Sequence, residues 1–216
     1  MPQKYFEIDD DSVDWIRPTE QWLNRAKGNV LCTECGSVLP GVGSIDVKLS
    51  KKPEPTPTLL IQPSIGAFDI SLLETLGMDD VRAHVHLGKV INPDGSCNSQ
   101  YATVLAREQI MFRGKADSNH HVCPHCGRLL YTSVRSRYIM NWTVASQAPI
   151  YGEESVSLLV CESIRDKIAA AWGKRLKLYK VPVAAKARDG LDDDLGLWPT
   201  PAQLKRYMPH VWAIKT

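Results

Sequence analysis

Two short cysteine pairs constrain this chain more than any other feature: Cys32 and Cys35 in CTECGSVLPG, and Cys123 and Cys126 in CPHCGRLLY. Two residues separate the cysteines of each pair, and a glycine (Gly36, Gly127) follows at once. That spacing lets one tight turn present both sulfurs to the same ion, while the glycine supplies the positive φ that lets backbone amides point at the thiolates. Two such turns make a tetrahedral set, so Cys32, Cys35, Cys123 and Cys126 are the expected ligands of one metal ion. Sulfur closes all four positions and leaves none for a catalytic water, which predicts a structural ion. Zinc is the commoner occupant of an all-cysteine site, and iron is the chemical alternative. Two unrelated turns holding no metal is the competing reading, and the doubled glycine frame argues against it.

Between Cys35 and Cys123 lie 87 residues, 36 to 122. A compact zinc-binding hairpin pair has no room for so long a gap, so an inserted segment, at about 51–117, is expected to fill it. The length of 216 residues and the 44% hydrophobic content allow one well-buried core, or a core plus a small satellite module. A formal net charge of +2 is too small to draw the whole molecule to nucleic acid or anionic lipid. The start, MPQKYFEIDDDSVDW, has neither the basic flank nor the apolar run of a signal peptide, and no apolar run approaches membrane-spanning length. A cytoplasmic protein with reduced thiols is expected, where CxxC spacing points to metal rather than disulfide.

Along the chain, KYFEI reads as a strand and DDDS as a turn. Thr19 can cap a helix through Trp22 and Leu23 that stops at Gly28. SIDVKL (44–49) reads as a strand, and the prolines of KKPEPTPT (51–58) predict an extended linker. A helix is expected near SLLETL, a strand at VRAHVHL and a turn at NPDG. YATVLAREQIMF (101–112) fits helix or strand equally, since its apolar residues keep neither period. In the last third, SVSLLVCE predicts a strand, SIRDKIAAAW a helix capped by Ser163 and stopped by Gly173, and LKLYKVPV a second strand. That is a β-α-β order. Residues 185–216 read as a C-terminal extension packed on a single domain spanning 1–184, with Trp198, Tyr207 and Trp212 needing a surface.

Several other residues carry chemistry on paper. His120, His121 and His125 crowd the second pair, which suggests an HNH-type nuclease, but the acidic-His start and the downstream Asn and His of that motif are not recognisable. They read better as outer or surface groups. Cys161 reads as a buried small hydrophobe and Cys97 as an exposed loop residue. His84 and His86 are expected on one face of a strand. Between Arg165 and Arg188 eight basic residues stand against Asp166 alone, which is either a patch for nucleic acid or an acidic partner, or a solvated face with a lysine-guarded edge strand. Asp192, Asp193 and Asp194 lack the ligand ladder of a calcium loop. No nucleophile, base and oxyanion set is evident, so no enzyme is expected.

The doubled CxxCG frame, the YFEI strand and the LLVCESIRDKI…LKLYKVPV module together resemble the double-CxxCG family of myxobacterial paralogues. The resemblance implies the metal set Cys32, Cys35, Cys123 and Cys126. Family members include immunity proteins that protect a cell from a toxin delivered by its kin. The expectation is therefore an α+β, zinc-ribbon-like four-cysteine knuckle scaffold with a long insertion and a C-terminal β-α-β module. It would bind structural Zn2+ and neutralise a cognate protein toxin, away from any membrane. A nucleic-acid-binding zinc ribbon is the alternative function.

Overall fold

A computed structural model describes residues 3–9, 14–39, 41–61, 64–110, 112–114, 119–133, 137–153 and 157–188. In chain order the elements are β1 (Tyr5–Asp9), β2 (Asp14–Ile16), α1 (Glu20–Ala26), β3 (Val47–Lys48), β4 (Thr58–Ile61), β5 (Ile65–Asp69), α2 (Ile70–Leu76), α3 (Met78–His84) and β6 (Val85–Ile91). There follow β7 (Cys97–Ala106), β8 (Gln109–Ile110), β9 (Asn119–Val122), β10 (Leu129–Ser133), β11 (Ile139–Met140), β12 (Ile150–Glu153), β13 (Leu158–Cys161), α4 (Glu162–Trp172), β14 (Lys177–Val181) and β15 (Val183–Ala184). The class is α+β.

Two larger sheets organise most of these strands, while β9 with β10 and β11 with β15 form two-stranded pairings. The first runs β14-β1-β13-β12-β8. Here β1 lies antiparallel between β13 and β14, so the expected β-α-β module exists, but it is split by the N-terminal strand. This explains why Tyr5, Phe6, Glu7 and Ile8 are all buried rather than alternating with solvent. The second sheet runs β2-β4-β5-β7-β6-β3 and draws strands from both sides of the proline-rich segment. That segment is pinned by Tyr101, whose hydroxyl accepts from Thr56 N (2.8 Å) and donates toward Thr56 O (2.8 Å).

The second sheet has a core on each face. Phe68, Ala102, Val104 and Ala106 join the larger core with Leu72, Leu73 and Leu76 of α2 and Ile164 and Ile168 of α4. Ala67 and Tyr101, pointing the other way along the same strands, join Ile16, Ala26, Leu31, Val38 and Ile45 in a second core. A strand buried on both faces loses the period-two alternation. For that reason 101–112 gives no clear period in sequence, although residues 101–106 lie in β7 and 109–110 form β8.

Local chemistry accounts for the helices and for three departures from expectation. Thr19 caps α1 as expected, accepting from Trp22 N at 3.3 Å, and Gly28 turns away with φ +78°. The α4 cap is Cys161, not Ser163: Cys161 is extended, makes no side-chain cap bond, and carries the sheet straight into the helix. Ser163 sits in the first turn instead, its hydroxyl 3.2 Å from Cys161 Sγ. His84 and His86 do not share a strand face, because Met78–His84 is helical and β6 begins at Val85. Asp79 and Asp80 in the first turn and Arg82 and His84 in the last suit the helix dipole, and Gly77, with φ +102°, separates α3 from α2. SIDVKL shortens to β3 because Asp46 is taken by other partners: its carboxylate accepts from Lys89 N (2.7 Å) and its carbonyl from Trp22 Nε1 (2.6 Å). Of the turn expected at DDDS (9–12), Asp9 instead ends β1, and residues 10–12, the acidic run Asp192–Asp194, and Trp198, Tyr207 and Trp212 lie outside the described residues. Among the described residues no helix is long and apolar enough to cross a membrane.

Candidate metal centre

Both cysteine pairs sit on turns that close antiparallel pairings. The first follows α1, where Leu31 and Val38 bridge and bury their side chains in the second core. The second caps the β9–β10 hairpin, whose last rung joins Val122 to Leu129. Inside the turns the backbone repeats itself. Cys32 N donates to Ser37 O and Cys123 N to Arg128 O, each at 2.8 Å. Gly36 N returns to Cys32 O at 3.0 Å, and Gly127 N to Cys123 O at 2.9 Å. Both glycines adopt positive φ, +72° and +76°, a region that costs an L-residue its Cβ clearance.

The four sulfurs converge. Cys32 Sγ lies 3.8 Å from Cys123 Sγ, and Cys35 Sγ lies 3.6 Å from Cys126 Sγ. All four fall within 4.8 Å of one another, close enough to hold a metal ion, and among the described residues no other group of three His, Cys, Asp or Glu side chains does so. The separations exceed the S–S bond length of about 2.05 Å, and every cysteine is a free thiol. The first cysteine of each pair is buried and the second half-buried.

Their electrostatics differ with position. Burial pushes the Cys32 thiol up. It also raises Cys126, with the neighbouring Cys35 adding to the effect. At Cys35 burial again acts upward, but hydrogen bonds from the Ser37 side chain and backbone, then from Cys126 and Cys32, outweigh it and bring the thiol down to about 7. Sulfurs this close could be held together as thiolates by a cation, which would offset the cost of burying their charge.

Sequence reasoning passed over two residues beside the sulfurs. Ser37 is 5% exposed and serves Cys35. Arg128, 3% exposed, directly follows Gly127 and lines a small pocket with Val38, Val104, Gly152 and Leu158, residues that include members of both sheets. The Arg-after-Gly position was the available signal, but nothing in sequence says that a basic side chain there turns inward.

The remaining candidates are dispersed. His120 and His121 pair across the β9–β10 hairpin with Tyr131 and Leu130, His125 is exposed, and the four-sulfur group includes no histidine. Cys161 is buried (5%) and Cys97 exposed. The basic strip is divided among several elements. Arg165 pairs with Glu162 (3.3 Å) and Asp166 (2.8 Å) and stacks on Phe6. Arg175 stacks on Trp172 and Arg188 on Tyr138. Lys177 and Lys180 lie on β14, the outer strand of the first sheet. No protein-family model matches the chain, and no curated protein is significantly similar to it.

Proposed function

We propose that this chain is a zinc-tied binding protein of the immunity type, which captures a cognate protein toxin and covers its working surface. The observation that carries this reading is the repeated turn. The same two backbone hydrogen bonds, the same positive-φ glycine and the same buried-then-half-buried cysteine order occur at both pairs. That repetition supports the double-CxxCG resemblance and, through it, the immunity role.

Zinc fits the sulfur set. A Zn–S bond of about 2.3 Å places the sulfurs of a tetrahedron about 3.8 Å apart, against 3.8 and 3.6 Å here. When bound, zinc supplies a fixed cross-link with no open coordination position, and the two turns are read on that basis as zinc-ribbon-like. Reduced thiols are needed for this, which favours a cytoplasmic setting. Function then falls to the protein surface rather than to the ion, and no enzymatic step is assigned. Trp15, Tyr179 and Trp142 are 57%, 46% and 42% exposed, and large exposed aromatics are the residues that anchor interfaces.

The test is kinetic. Lys174, Arg175 and Lys177 are reversed together to Glu, and binding is followed at two salt concentrations against the product of the neighbouring reading frame and against a mixed-sequence duplex. Rim charges govern association more than dissociation. The expected result is a tight, stoichiometric protein complex whose capture slows in the variant while its dissociation rate holds. Absence of any such complex, with salt-sensitive duplex binding lost in the variant, would replace this reading by the nucleic-acid one.

A further inference from the structure

Beyond the first cysteine turn the chain forms one wall of a groove of about 460 Å³, faced by the end of β7 and the residues after it. Val42 and Leu105 supply apolar lining, and His86, Arg107, Glu108 and Thr143 supply the polar groups. Such a volume lies in the range of small-molecule sites, which pair apolar walls with a few convergent polar groups.

The charges in this groove are arranged unequally. Arg107 is held in place by its backbone, whose N–H donates to His84 O at 2.8 Å. Among the described residues its guanidinium makes long contacts, 3.4 Å from Nη1 to His86 Nε2 and 3.5 Å from Nη2 to Arg82 O. No ion pair to Arg107 is formed among the described residues. Glu108, the acid lining the groove, is engaged elsewhere: its Oε2 accepts from Ser146 Oγ (2.8 Å), which lies 2.6 Å from the Tyr151 hydroxyl. That hydroxyl in turn accepts from Ala148 N at 3.0 Å. The carboxylate is thus tethered toward Ser146, while the guanidinium fork keeps donors for a planar acceptor.

We propose that this groove binds a small organic anion, with its carboxylate or phosphate seated on the Arg107 guanidinium beside His86. Two further features agree. Thr143 Oγ1 donates to Met140 O at 2.6 Å, so its oxygen is left as an acceptor for a ligand hydroxyl. Burial, and then the charge of Arg107, hold the His86 imidazole below its usual range, and an anion on Arg107 offsets that second effect.

The experiment titrates the full, metal-loaded chain with inorganic phosphate in one arm and glutarate in the other, following the His86 imidazole by NMR and heat by calorimetry. Saturable binding in one arm identifies the anion class, with the His86 titration midpoint rising at saturation. Arg107→Gln is expected to weaken binding about tenfold or more, the share of a charge-assisted hydrogen bond, and Arg107→Lys to fall between. Arg107 is exposed, and an unchanged thermal melt verifies that each variant is folded. No saturable binding in either arm, or equal binding by Arg107→Gln, overturns the proposal.

Discussion

Replacing Cys123 by Ser removes one of the four sulfurs that, holding zinc as proposed, would cross-link the chain across the stretch 36–122. In the chain-entropy model a closed loop of about 100 residues contributes about 4.7 kcal/mol. Loss of the link should therefore destabilise the metal-loaded protein by about 4–5 kcal/mol. At this chain length each kcal/mol moves the melting temperature by about 2–4 °C, giving a drop of roughly 10–20 °C. The damage should begin where the turns meet the cores. Leu31 and Val38, flanking the first pair, belong to the second core, whereas Leu159 and Val160 lie in the larger one. Metal content by elemental mass spectrometry, melting by far-UV circular dichroism and hydrogen exchange by mass spectrometry address the three steps. Expected are loss of the ion, the lowered melting point, and faster exchange first around Leu31 and Val38. A variant that keeps one ion per chain and melts within about 3 °C of the parent, a shift worth only about 1 kcal/mol, would refute the four-sulfur assignment.

Gly88→Ala places a Cβ against the Ile45 carbonyl and the Thr103 hydroxyl; overpacking of this kind costs about 1–3 kcal/mol, readable as a lowered denaturant midpoint. Replacing His120 and His121 together by Ala should leave metal content at the parent value by elemental analysis, because four sulfurs already complete the site. The depressed His86 imidazole stabilises the fold above pH 6.5, the ordinary value. As pH falls below that value the unfolded chain takes up the proton first, and the contribution is lost through the lower folded-state value. Urea midpoints of the parent should consequently decline more between about pH 7 and about pH 5 than those of His86→Gln; parallel declines would remove this role.

The elements most readable in sequence are those set by local chemistry. Thr19 marks the start of α1, Gly173 the end of α4, and NPDG the hairpin between β6 and β7, because caps and turns depend on a few adjacent residues and backbone bonds such as Gly95 N to Asn92 O. VRAHVHL is strand only from Val85, where β6 begins; Val81–His84 instead end α3, as the helix-dipole charges of Asp79, Asp80, Arg82 and His84 favour. The cap of α4 was misplaced because Ser163 is the better capping residue by type, while the sheet dictates where β13 ends.

What the sequence determines by itself is the pair of cysteine turns, each presenting its own two sulfurs, whereas their meeting across residues 36–122 is tertiary. CxxCG spacing dictates a turn geometry within six residues, and that geometry hardly depends on the rest of the fold. Tertiary structure alone decides the rest of the architecture. Only pairing across the chain inserts β1 between β13 and β14, buries both faces of β7, turns Arg128 inward and brings His86 against Arg107. The physical reason is range: a turn is specified by adjacent dihedrals, whereas sheet order and the burial of charge depend on which distant surfaces are excluded from water together.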